Sequence, residues 1–119
     1  MNETLLELTE KLLAYIEQIS DKFEEVKETK VKGDFFLEVK PFADEVNGVK
    51  EEWHHLAVKW IEENKPKYLH VKQIESTSEQ MELLSVQAFF PDTSRTRFIN
   101  YWQSARFILT SLKDLLKGS

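Results

Sequence analysis

Glu51-Glu52-Trp53-His54-His55 is the stretch of this chain whose residue types and spacing could do chemistry. It holds two overlapping Glu-x-x-His spacings, the pattern by which one helix offers a carboxylate and an imidazole to iron in a bundle core. Such a site needs its ligands to point inward. On a helical wheel centred on Trp53, Leu56 and Trp60, His55 lies on the opposite side, Glu51 is nearly as far round, and His54 sits at the flank. Carboxylates elsewhere do not complete the set: Glu10, Glu17, Glu24 and Glu28 fall on an outer flank of their helix, as do Glu75, Glu79 and Glu82 on theirs. The residues therefore predict no metal site.

Other chemistries are equally short of parts. His70 stands at the start of a helical segment with no carboxylate at short spacing, which reads as a capping or loop residue rather than an acid-base group. The absence of cysteine removes thiolate metal sites, disulfides and cysteine nucleophiles together. Only three glycines are present, so there is no phosphate-cradling loop and no glycine-flanked serine elbow. Thr77, Ser78 and Ser85 lie in or beside the apolar stripe of their helix, where small hydroxyls bond back to a carbonyl one turn earlier and let helices approach. Trp53, Trp60 and Trp102 stand at stripe positions and read as core filling rather than a platform for a planar ligand. The expectation is a chain with no catalytic, cofactor-binding or metal residues, leaning away from an enzyme.

The elements that would carry these residues are clearer. Leu5, Leu8, Leu12, Ile16, Ile19 and Phe23 fall on one side of a helix, and Val49, Trp53, Leu56, Ala57, Trp60 and Ile61 repeat the pattern. Ile74, Met81, Leu84 and Ala88 form a third stripe; Phe98, Tyr101, Trp102, Ala105, Ile108, Leu109, Leu112 and Leu116 form a fourth. Four one-sided helices with short connections hide their stripes by facing one another. That predicts an all-α, antiparallel up-and-down four-helix bundle filling a single domain over residues 1–119.

Local signals set the expected boundaries. Thr4 with Glu7 reads as a capping box opening a first helix that runs to about Thr29, and Lys32-Gly33 as a left-handed exit. Pro41 and Asn47-Gly48 are expected to interrupt the second layer, giving two short pieces over 34–46 before a helix from Val49 to Asn64. Lys65-Pro66 stops that helix, the third runs from His70 to Phe89, and Asp92, Thr93 or Ser94 caps the last, which extends to about Lys117. Up-down alternation then gathers Phe35, Phe36 and Phe42 near Phe89, Phe90 and Phe98.

Charge narrows the partners. The net charge of −5 disfavours nucleic acid and anionic membrane surfaces. Residues 1–30 hold eight acids against four lysines, while residues 94–119 hold five basic residues against Asp114, which predicts attraction between the first and last helices. The start of the chain lacks the basic and unbroken apolar regions of a signal peptide, and no run is long enough to span a bilayer. A soluble cytoplasmic protein is the expectation.

Thr4-Leu5-Leu6-Glu7-Leu8-Thr9-Glu10, Asp34-Phe35-Phe36 with Val39-Lys40-Pro41, and Lys65-Pro66-Lys67-Tyr68-Leu69-His70 with Gln73-Ile74-Glu75 together resemble the YppE-like family of small Gram-positive bacterial proteins. The likeness covers Thr4 through Arg97 and matches the last helix by pattern only. It implies a cytoplasmic four-helix up-and-down bundle, and brings no established activity or functional residues.

Two residues point outward. Phe107 lies opposite the core stripe of the last helix and Ile99 lies at its flank, so this face could meet a protein partner or a second copy of the chain. The reading is a non-enzymatic interaction module, with Ile99 and Phe107 as candidate partner-binding residues. The alternative is a small-ligand or metal-binding bundle with a pocket between helices.

Overall fold

In the computed structural model, which describes residues 2–118, the chain folds into four helices: α1 (Asn2–Thr29), α2 (Lys40–Asn64), α3 (Val71–Gln87) and α4 (Arg95–Gly118). They run up and down in sequence order, packing α1 on α2, α2 on α3, α3 on α4 and α4 back on α1. The result is an elongated body of 45 × 26 × 20 Å. Its core holds the four predicted stripes, with Leu12, Ile16, Ile19, Trp53, Ile74, Met81, Leu84, Leu109 and Leu112 fully enclosed. Among the described residues no helix is long and apolar enough to cross a membrane.

Polar links tie the layers. The Trp53 indole N–H donates to Thr9 Oγ1 at 3.0 Å, and the Thr9 hydroxyl donates to the Leu5 carbonyl at 2.7 Å, all inside the core. Trp102 Nε1 donates to the Ile16 carbonyl at 2.7 Å, joining α4 to α1. On the outside of that seam the predicted attraction is present as three pairs: Arg95–Glu24 at 2.8 Å, Arg106–Glu17 at 3.5 Å and Lys113–Glu10 at 3.7 Å. These exposed pairs orient the helices more than they stabilise them.

Several boundaries differ from the expectation. α1 is already helical at Asn2, which leaves Thr4 inside the helix and not at its cap. The left-handed residue that ends α1 is Lys30, with φ of 60°, and not Gly33. Gly33 serves close packing instead: its N–H donates to the Phe89 carbonyl at 2.9 Å, and an added Cβ would stand 2.7 Å from Phe89 Cδ1. Asn47-Gly48 makes no turn. α2 runs unbroken from Lys40 to Asn64, because Val46, Lys50 and Trp53 are all buried on its inner side, and Pro41 sits in its first turn, where a missing N–H costs nothing. Before it, Phe35–Val39 forms a single π-helical turn capped by Asp34, whose carboxylate accepts from the Leu37 N–H at 2.9 Å.

The other connections follow the sequence closely. Lys65 takes a left-handed conformation, with φ of 47°, and ends α2 just before Pro66. His70 is the N-cap of α3, and α3 stops at Gln87, two residues short of the predicted end. Ser94 Oγ accepts from the Arg97 N–H at the start of α4. At this upper end the aromatic residues meet only in part. Phe42 packs edge-on against Tyr15 and Phe89, and Phe23 stacks on Phe98 at 3.9 Å, but Phe35 and Phe36 touch each other and remain exposed.

Candidate functional site

The histidine and glutamate cluster turns outward. His54 is half-buried, Glu51 and His55 are exposed, and with Val58, Lys59, Glu62 and Glu75 they border an open groove of 480 Å³. Among the described residues no three His, Asp or Glu side chains converge where they could hold a metal ion. His70 accepts the cap role: its backbone N–H donates to Gln73 Oε1 at 2.7 Å while the residue stays exposed. Ser85 bonds back to the Glu82 carbonyl at 2.8 Å, the local pairing that a small hydroxyl in a helix interior adopts. Trp53 is enclosed and Trp60 nearly so, which leaves neither face free to stack on a ligand.

Exposed apolar side chains mark a different place. Phe107 is 68 % exposed and Tyr68, in the α2–α3 connection, 81 % exposed; with Leu115 they flank a groove of 590 Å³ whose floor includes Leu69 and Ile108. Beyond the end of α2 at Lys65, Pro66, Lys67 and Tyr68 form one wall of the groove, and Phe107, Ser111 and Leu115, at steps of four along α4, form the other. Lys67 holds its ammonium 5.5 Å from the Tyr68 ring, and Asp114 is the acid of the lining. The groove continues upward between α3 and α4 as a second hollow of 690 Å³ that shares Phe107 and Ile108 and adds Lys72, Gln73, Thr77, Gln80 and Ser104. Within it Thr77 Oγ1 and Gln80 Oε1 are buried with no hydrogen-bond partner among the described residues.

The two outward residues named from the sequence are therefore separated. Phe107 sits at the junction of both hollows, whereas Ile99 is half-buried and packs against the core, lining neither. Each step of four residues turns the helix face by about 40°, so Ile99 and Leu115 lie about 80° round from Phe107 in opposite directions, Ile99 toward the core and Leu115 toward the rim of the groove. Tyr68 and Leu115 were missed. Neither is marked by the period that picks out Phe107: Leu115 lies about 80° round from it on α4, and Tyr68 lies in a loop, where periodicity says nothing.

An open groove lined by Asp114, Lys67 and aromatic walls, continuing past His70 and Lys72, offers burial of apolar surface and hydrogen bonds. Comparison with known proteins agrees with the fold at every level. The chain is 30% identical to the YppE protein of Bacillus subtilis over 114 residues, covering 96% of this chain and 93% of that one. The crystal structure of YppE superposes with a TM-score of 0.91, covering 96% of this chain and 93% of that chain at 30% identity. A Listeria innocua protein of unknown function superposes with a TM-score of 0.94 at 28% identity, covering 98% and 94% of the two chains. A Staphylococcus aureus protein of the DUF1798 family gives 0.86 at 27% identity, covering 94% and 95%. The family described as a bacterial domain of unknown function, DUF1798, matches residues 9–116, carrying the likeness through the last helix. The chain belongs to the DUF1798 family of bacterial proteins.

Proposed function

We propose that this chain is a non-enzymatic cytoplasmic interaction module that docks apolar side chains of a protein partner in the groove around Phe107. The observation that supports the reading is the placement of Tyr68, Phe107 and Leu115 around one concave surface, each exposed in the single chain. Aromatic residues at the rim of a concavity are the side chains that dominate binding energy when a partner covers them. The cysteine-free composition suits a reducing compartment. Ile99 has a supporting part, holding the α4 backbone against the core beside the docking face.

The test is affinity capture with wild type and Phe107→Asp, analysed by mass spectrometry. A protein retained by wild type and lost by the folded variant supports the reading; identical captures from both end it. A second reading, a small ligand in the upper hollow, is favoured by the unpartnered Thr77 and Gln80 oxygens. A ligand screen by thermal shift, repeated with Thr77→Val, separates the two, since only ligand binding in that hollow is sensitive to the hydroxyl.

A further inference from the structure

The groove beside the α2–α3 connection and the hollow above it share Phe107 and Ile108, so they form one continuous depression whose two halves differ in chemistry. The lower half is walled by Tyr68, Leu69, Phe107, Ile108 and Leu115, and its two charges, Lys67 over the Tyr68 ring and Asp114, are of opposite sign. The upper half is polar. In a chain of net charge −5, no acid is among the described residues that line it, while Lys72 and His70 stand there with the hydroxyls of Ser76, Thr77 and Ser104. We propose that the depression binds a single-chain amphiphile with an anionic head, a carboxylate of the fatty-acid kind. Its head lies in the upper hollow and its alkyl chain runs over Phe107 into the groove below. The proposal rests on the second reading above, of the upper hollow as a ligand site, and deepens it by naming the ligand.

Donors for the head are in place. Thr77 is fully buried and its hydroxyl has no partner among the described residues, so it offers a hydrogen bond to an acceptor that the chain does not itself supply. Gln80, one turn along α3, is half-buried with its side-chain oxygen also unpartnered, and a half-turn of that amide puts N–H donors in the oxygen's place. Lys72 makes no ion pair among the described residues, and α3 begins at Val71 beside it, which turns the positive end of the helix dipole toward the head. Asp114 disfavours a carboxylate at the other end, so the direction of the ligand is set. The tail finds the exposed apolar walls of the groove, where Phe107 is 68 % exposed in the single chain. Ser104 and Leu115 stand eleven residues apart on α4, about 16 Å along its axis, a span that suits an extended chain of medium length. Hollows of 590 and 690 Å³ fall within the range of about 300–1,000 Å³ that small ligands occupy. An alkyl chain lying there covers the surface that a protein partner would use, so the two occupants compete.

Isothermal titration of the full chain with dodecanoate, with dodecyltrimethylammonium as the same tail on a cationic head, and with acetate as the head alone tests this. Dodecanoate should bind one to one, at least about tenfold tighter than the ammonium, and acetate should give no heat. Lys72→Glu, at an exposed position, should remove the preference for the anion without weakening the ammonium, whereas Phe107→Asp should weaken both tails. Thr77→Val, close in shape to the native residue, should weaken dodecanoate alone. Circular dichroism establishes that each variant is folded before it is titrated. Absence of dodecanoate binding, equal affinity for the two heads, or binding unchanged in Lys72→Glu and Phe107→Asp overturns the proposal. If dodecanoate fails while another small molecule raises the melting temperature of wild type and not of Thr77→Val, the upper hollow is still a ligand site and only the amphiphile is wrong. If no ligand depends on Thr77, both fall.

Discussion

The two ends of this bundle are built from similar residues and differ in what those residues do. At the upper end Phe23, Phe42, Phe89 and Phe98 pack against one another, and Lys27 ties the connection down by donating to the Pro91 and Thr93 carbonyls. Toward the lower end Tyr68 and Leu115 flank a hollow that reaches up to Phe107 at the middle of α4, and all three are left in water. Aromatic content alone does not tell a closed end from an open one. The difference lies in the connections: Gly33 lets the chain come down onto Phe89, whereas the bend at Lys67 and Tyr68 after Pro66 leaves the Tyr68 ring outside the core.

Substitutions can sharpen or break that contrast. The largest expected effect is at Phe98, fully buried and stacked on Phe23, where Phe98→Ala should cost about 3–5 kcal/mol of stability in urea unfolding. Phe107→Ala should stay within about 0.5 kcal/mol of wild type, as exposed positions do. Equal losses at both sites would mean that the hollow beside Phe107 is also closed.

The glycines repeat the test on the backbone. Gly33→Ala drives a methyl into Phe89 and should destabilise by about 1–3 kcal/mol. Gly118→Ala, with nothing within 4 Å of the new Cβ, should be close to neutral. Between the ends, Gly48 is exposed in the middle of α2 with open space around it, so Gly48→Ala should raise stability by about 1 kcal/mol in the same unfolding measurement. A loss there would mean that α2 needs a flexible joint between the two ends.

The smallest effect concerns the outer seam near the upper end. The hydrogen bond from Arg95 holds the Glu24 carboxyl below its ordinary range, outweighing the slight opposing effect of burial. A carboxylate so held contributes stability above its unfolded-state value, and that contribution is lost as pH falls through the lowered folded value. NMR titration of Glu24 should show its midpoint rise toward the ordinary carboxylate value in Arg95→Ala, and rise partly in high salt for wild type.

How much of this was legible in the sequence follows from the range of the forces involved. The four stripes were legible because burial imposes a period of 3.6 residues on whichever residues face the core. The attraction of α1 for α4 was legible because opposite charge blocks on neighbouring antiparallel helices meet along their length. Asn47-Gly48 was misread, since a dipeptide that favours turns in isolation is overruled when Val46, Lys50 and Trp53 gain burial only in a continuous helix. The π-helical turn at Phe35–Val39 left no mark in the pattern. Gly33 was assigned the wrong reason because its constraint comes from Phe89, which is remote in the chain and invisible to local reading. The outward position of Phe107 was legible on a wheel, while that of Tyr68 shows only where the loop leads.

The hydrogen bond from Trp53 to Thr9 has a further consequence. Stripes of interchangeable aliphatic residues let two helices slide by a turn at little loss, since one leucine fills the place of another. The indole N–H of Trp53 finds an acceptor only when α1 and α2 are aligned as they are here, and a shifted pairing strands that donor in an apolar interior. The bond therefore works as an address, telling this arrangement of the bundle apart from its near neighbours.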